Sequence, residues 1–295
     1  MAKIPVGRTI GAAYGFLFVQ IGSILAVAGL PAILYAGADY ASRAYAAAQP
    51  VQPDTGGFAG DGADLLVTLC AELVKLLALS VAAGGVTRIV LELHPGTPAY
   101  FPLDRTAWRM FGANLRFVLG AALLIALAML VTLVLFRLAG IPFQAEAADL
   151  QPTMAVFLAA LVSWAVAFYA FLSILQIGFL LPAVVAAEAK GGLKRSHALA
   201  QGNVWRLIGI VLVLGLPIVL LLAAAAAVVL SAALGSDFGT APMTPELMRR
   251  AEDAIAQRLL PWEILNAVLF VLFAGLMYSG SAYAYLAAAE NSDRA

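Results

Sequence analysis

The chain has 295 residues, of which 63% are hydrophobic and 12% charged, with 17 lysines and arginines against 17 acidic residues. Ordinary soluble domains carry about 45–50% apolar and about 25% charged residues, so there is too little charge here to cover a water-facing surface. The zero net charge removes the basic footprint of a nucleic-acid-binding protein, and a single cysteine, Cys70, excludes an intrachain disulfide.

Six apolar runs follow one another, at residues 13–36, 65–91, 115–139, 154–187, 204–234 and 263–289. Each matches or exceeds the roughly 20 residues that a helix needs to cross a hydrocarbon core about 30 Å thick. Lipid cannot hydrogen-bond backbone groups, so spanning segments are helices or closed barrels, and runs without strict alternation exclude the barrel. The expected fold is all-α: a single polytopic six-helix transmembrane bundle over 1–295 with short interfacial amphipathic helices. The first run is too long for a signal-peptide core and is read as a retained helix.

Along the chain, run one carries Gln20 and Pro31, and an Ala-, Gly-, Pro- and Asp-rich loop at 37–64 follows. Run two holds Cys70, Glu72 and Lys75. Counted from Leu65, Glu72 lies about 10 Å and Lys75 about 15 Å into the core, which puts Lys75 near the midplane. At a spacing of i, i+3 the two can pair. They are read either as a self-neutralising structural pair or as an ion relay, because intramembrane ionisable residues are functional candidates. With Gln176 in run four and Asn266 in run six, they make a candidate intramembrane polar site. Gln20 and Ser163, like Gln176 and Asn266, are expected to form interhelical hydrogen bonds.

Before run three, the stretch FPLDRTAWRMFGANLR places Trp108, Phe111 and Leu115 on one face and Arg105, Arg109 and Arg116 on or beside the other, with Asp104 as N-cap. Between runs four and five, Lys190, Lys194, Arg195 and Arg206 surround Leu193, Leu199 and Trp205. Both segments read as interfacial helices with aromatics at headgroup depth. Arg105, Trp108, Arg109, Lys194, Arg195, Trp205 and Arg206 are the candidate lipid-headgroup contacts. The plainer alternative is that these cations only fix topology. In the loop at 236–261, Thr244-Pro245-Glu246 marks the start of a short amphipathic helix before the sixth span.

Pro31, Pro182 and Pro217 predict kinks within spans. The small-residue pairs Ser80/Gly84, Gly275/Ser279 and Gly280/Ala284 predict close helix contacts. Numbered alternately, one set of loops holds 11 lysines and arginines and the other 5, with Lys75 inside a span. The positive-inside rule then makes the first set cytoplasmic and places both termini in the cytoplasm. Gly15–Pro31 is weakly echoed by Gly202–Pro217, which is compatible with a parallel repeat. His94 and His197 lie in different loops, and no H-E-x-x-H, G-x-S-x-G or phosphate-binding glycine loop is present. Neither enzyme chemistry nor a metal or cofactor is expected.

The stretch SHALAQGNVWRLIGIVLVLGLP resembles the bacterial six-span glycerophosphoryl diester phosphodiesterase membrane-domain family and its inner-membrane relatives. Pro182, Arg195, Ser196, Leu199, Gly202, Asn203, Trp205, Arg206 and Leu207 match its pattern, as do Arg88 and Pro95 near the end of run two. His197 stands where the family often has Trp, and Gln176 where many relatives have Arg. The resemblance implies a bacterial inner-membrane location and a six-span layout. It does not carry over catalysis, since only residues 291–295 are left after run six for a soluble catalytic domain. Together these features point to an accessory or scaffold protein that engages membrane lipid or a membrane-protein partner. The alternatives are a small secondary transporter or lipid-moving protein, and an embedded phosphodiesterase-like enzyme.

Overall fold

Leucine, valine and alanine dominate the apolar runs. They satisfy every backbone group within a helix, the requirement for structure in lipid. The computed structural model describes residues 3–48, 62–93, 104–140, 154–188, 192–235, 244, 250 and 258–292. Its elements are α1 (Val6–Val19), α2 (Ile21–Ala48), α3 (Gly62–Val90), α4 (Arg105–Leu138), α5 (Met154–Ala187), α6 (Leu193–Ala200), α7 (Val204–Leu234) and α8 (Leu259–Ser292). Six of them, α2, α3, α4, α5, α7 and α8, are long and apolar enough to span a bilayer. The chain is an all-helical, multi-pass membrane protein.

Two boundaries differ from the sequence reading. The first run is divided at Gln20 between α1 and α2, and α2 continues to Ala48 rather than ending near residue 36. The amphipathic stretch at 105–116 is not a separate interfacial helix but the opening turns of α4. Asp104 is its N-cap as expected, its Oδ1 accepting from the N–H groups of Thr106 (2.9 Å) and Ala107 (3.0 Å). Its Oδ2 also pairs with Arg88 at the end of α3, which ties α3 to the start of α4. The short helix expected within 247–258 falls almost wholly outside the described residues.

The last helix, α8, packs antiparallel against both α1 and α2, and α2 packs as extensively against α3. Small residues on α8 allow this approach: a Cβ on Gly275 would lie 2.7 Å from Leu17 and 3.2 Å from Ile24, and one on Gly280 would strike Leu214 of α7. Gly275, Ser279 and Gly280 therefore do what their spacing predicted. At Gly84 the position of a Cβ is open, and the contact there comes from Ser80 instead, whose hydroxyl accepts from the Asn114 amide at 2.9 Å.

All three helix prolines are carried inside continuous helices. Pro217 cannot bond to the carbonyl of Val213, and the Tyr14 hydroxyl donates to that carbonyl at 3.1 Å. The echo of Gly15–Pro31 in Gly202–Pro217 does not extend to conformation, since Gly15 lies within α1 whereas Gly202 forms a turn at φ +77°.

The buried core sits towards the end of the bundle that carries the N-terminus. There Ile4, Val86, Met110, Val184, Leu207 and Leu214 are fully buried. Beyond it the outer stretches of α4, α5 and α7 expose their side chains, among them Leu123, Met129, Phe157, Trp164 and Val228. The most apolar window of α4 contains no buried residue. In lipid this exposure has no hydrophobic cost, and helix association rests on packing alone.

Candidate functional site

Two groups of polar side chains stand out, one at each end of the bundle. At the far end, α2, α3 and α8 bring five charged residues together. The Lys75 ammonium lies 2.5 Å from Glu72 Oε1 and 3.0 Å from Asp39 Oδ1, and 5.9 Å from the centre of the Tyr35 ring. Asp39 also accepts from Arg43 Nε at 2.9 Å, and the same nitrogen is 3.6 Å from Glu263 Oε1. Glu263 is only 3% exposed, and its other oxygen accepts from Asn266 Nδ2 at 3.2 Å.

The expected Glu72–Lys75 pair is therefore part of a chain of three carboxylates and two cations. Asn266 joins it through Glu263. Gln176, on α5, makes no hydrogen bond to it. Along their own helices the members differ in position: Glu263 is four residues from the start of α8, about 6 Å along the axis, whereas Lys75 is 13 residues into α3, about 20 Å from its start and close to its middle. Sequence reading placed Asp39 and Arg43 in a loop. Their signal is the i, i+4 series Tyr35, Asp39, Arg43, which puts all three on one face of α2.

At the N-terminal end a basic groove of about 810 Å³ opens between the first turns of α4, the end of α5 and the start of α6. Arg105, Trp108, Arg109, Arg116, Lys194 and Arg195 line it. Five of the seven residues expected at lipid headgroups thus meet in one place, joined by Arg116. Two of the cations also fasten the groove. Arg109 Nη2 donates to the carbonyls of Val185 (3.1 Å) and Glu188 (2.6 Å), closing the C-terminus of α5. Arg195 Nε pairs with Glu188 Oε1 at 3.0 Å, and that oxygen accepts from the Tyr285 hydroxyl at 3.1 Å. Arg105, Arg116 and Lys194 are exposed. Trp108 packs edge-to-face on Phe111 with ring centres 5.9 Å apart.

Trp205 and Arg206 do not line the groove. The Trp205 ring lies 6.5 Å from that of Phe168, and Arg206 Nη1 donates to the Ile4 carbonyl at 3.0 Å. Asn203 Oδ1 accepts from the Ile4 N–H at 3.0 Å, so two side chains clamp one buried N-terminal residue. The neighbouring residues of this stretch are also used for packing. Ser196 donates to the Ile177 carbonyl at 2.7 Å, Leu199 is buried, and Gly202 takes up a left-handed turn that favours glycine.

No family model, curated protein or solved structure matches this chain. The reading of its function therefore rests on its own geometry.

The interhelical hydrogen bonds also differ from expectation. Gln20 accepts from Ser23 within its own helical stretch, at 2.9 Å, and buried Ser163 has no partner among the described residues. Among the bonds that do cross between helices, the one from Asn114 to Ser80 is not legible in the sequence, because Asn114 lies at the edge of a segment that reads as interfacial. Among the described residues no three His, Cys, Asp or Glu side chains converge to hold a metal ion.

Proposed function

We propose that this protein is a non-enzymatic accessory or scaffold protein that binds the phosphate of anionic membrane lipid in its basic groove. The observation that carries this reading is the convergence of Arg105, Arg109, Arg116, Lys194 and Arg195 with Trp108 around one opening. Guanidinium groups match phosphate oxygens in a planar, two-point geometry, and an exposed tryptophan beside them suits headgroup depth. By the positive-inside rule this end faces the cytoplasm, where anionic leaflets attract such clusters. The resemblance to the phosphodiesterase membrane-domain family favours a bacterial inner-membrane setting. The transporter reading has less support: both cations of the far-end network, Lys75 and Arg43, already face carboxylates.

The test replaces the three exposed cations that are not used to hold helices together. In Arg105→Gln/Arg116→Gln/Lys194→Gln, retention of phosphatidylglycerol by purified protein in native mass spectrometry is expected to fall on the order of 100-fold, from about 1 kcal/mol per cation. Phosphatidylcholine retention should be unchanged. Equal phosphatidylglycerol retention by the variant and the parent protein would remove the basis of the proposal.

A further inference from the structure

A second polar pocket, of about 300 Å³, opens between the first turns of α1 and the last turns of α8. It shares no lining residue with the basic groove. One wall carries Arg8, Thr9 and Ala12, and the other carries Tyr283, Leu286 and Glu290. Arg8 and Ala12 are four residues apart, as are Leu286 and Glu290, so each helix turns a single face to the pocket.

The two charged residues of this pocket have opposite signs and do not close on each other. Arg8 and Glu290 are exposed, and neither makes a hydrogen bond or an ion pair among the described residues. The hydroxyl of half-buried Tyr283 is likewise without a hydrogen bond among those residues. Thr9, only 2% exposed, gives its hydroxyl proton to the Pro5 carbonyl at 3.0 Å, which leaves its oxygen as an acceptor. A structural ion pair would bring guanidinium and carboxylate into contact. Here a small open volume lies between two walls of opposite charge.

The depth of the pocket is that of lipid headgroups. Glu290 closes the stretch of α8 that is apolar enough to span the bilayer, Leu259–Glu290, and Arg8 lies in the opening turn of α1. Leu286, one turn inward from Glu290, is exposed and offers apolar surface to the chains of a lipid, which a soluble zwitterion lacks. Guanidinium presents two donors to a phosphate, and a primary ammonium gives charge-assisted hydrogen bonds to a carboxylate. A purely anionic headgroup would bring like charge to Glu290, and a quaternary ammonium has no N–H to donate.

We infer that this pocket seats the headgroup of an aminophospholipid such as phosphatidylethanolamine, its phosphate on Arg8 and its primary ammonium on Glu290. The site goes beyond the basic groove and differs from it in selectivity: the groove attracts net negative charge, and this pocket takes a headgroup whose two charges cancel.

The test is native mass spectrometry of the full chain with phosphatidylethanolamine or phosphatidylcholine at equal concentration. Glu290→Gln should lower phosphatidylethanolamine retention about tenfold, the worth of one charge-assisted hydrogen bond, and leave phosphatidylcholine retention unchanged. Arg8→Gln should lower phosphatidylethanolamine retention to a similar extent. Because both side chains are exposed and unpaired among the described residues, the thermal aggregation midpoint of either variant should equal the parent's. The triple Gln variant of the basic groove should keep its phosphatidylethanolamine, so the two sites stand or fall separately. Undiminished phosphatidylethanolamine retention in Glu290→Gln would overturn the inference, as would an equal loss of phosphatidylcholine. A loss accompanied by a lowered midpoint would mark a structural role and overturn it too. Displacement of the lipid by glycerophosphoethanolamine, which has the head without the chains, would overturn a lipid as the occupant.

Discussion

Lys75 is the residue whose surroundings depart most from what its sequence neighbours suggest. Glu72, its partner at i, i+3, has a side chain 61% exposed, whereas Asp39, 36 positions away, is 17% exposed and also holds the ammonium. Removing one member of a largely buried ion pair leaves the other charged and unpaired, at a cost of about 3–5 kcal/mol in a fully buried setting and less here. Lys75→Met is therefore expected to lower the denaturant midpoint in detergent micelles by the equivalent of about 2–3 kcal/mol. Lys75→Met/Asp39→Asn should recover part of that loss, as a double-mutant cycle would register. Equal stability of Lys75→Met and the parent would mean that the network only decorates the bundle. Charge identified Glu72 and Lys75 in the sequence. It could not reveal Asp39, Arg43 and Glu263 as their company, because that depends on how α2 and α8 lie against α3.

Helix packing in this protein turns on α8. Its Gly275 and Gly280 face α1, α2 and α7, and the hydroxyl of the buried Ser279 is returned to the Gly275 carbonyl at 2.5 Å, leaving no polar group there to hold neighbours apart. Gly280→Leu would drive a branched side chain into Leu214, and overpacking of this kind costs about 1–3 kcal/mol. Gly120→Leu is the comparison, since a Cβ there meets nothing within 4 Å on the exposed face of α4. The expected result is a lower thermal aggregation midpoint for Gly280→Leu and no change for Gly120→Leu. Small-residue spacing made the Gly275 and Gly280 contacts legible beforehand. The same spacing at Ser80/Gly84 was misleading: a four-residue repeat records that two positions share a face, not that both are in contact.

The molecule as a whole is polarised. The dense core, the N-terminal clamp and the basic groove gather at one end, and the carboxylate-rich network lies towards the other. That asymmetry predicts a single orientation in the membrane. In a Cys70→Ser background, Lys194→Cys should react with a membrane-impermeant maleimide only after cells are opened, and Gly62→Cys should react in intact cells. The reverse pattern would place the groove on the outer leaflet and remove its anionic partner.

Composition and run length were enough to establish a helical bundle in lipid. Backbone hydrogen bonding in hydrocarbon leaves so few options that an average property of the chain decides the class. Loop charge likewise located the basic segments, because cations at helix ends act through their number and side. Only the tertiary structure decided which of those cations share a groove. Arg206 and Arg195 stand 11 positions apart in one motif, yet one clamps the N-terminal segment while the other faces the α4 cations. Such pairings depend on distances between helices, set by side-chain packing rather than by hydrophobicity. A periodic apolar pattern carries almost no information about them when lipid surrounds every face.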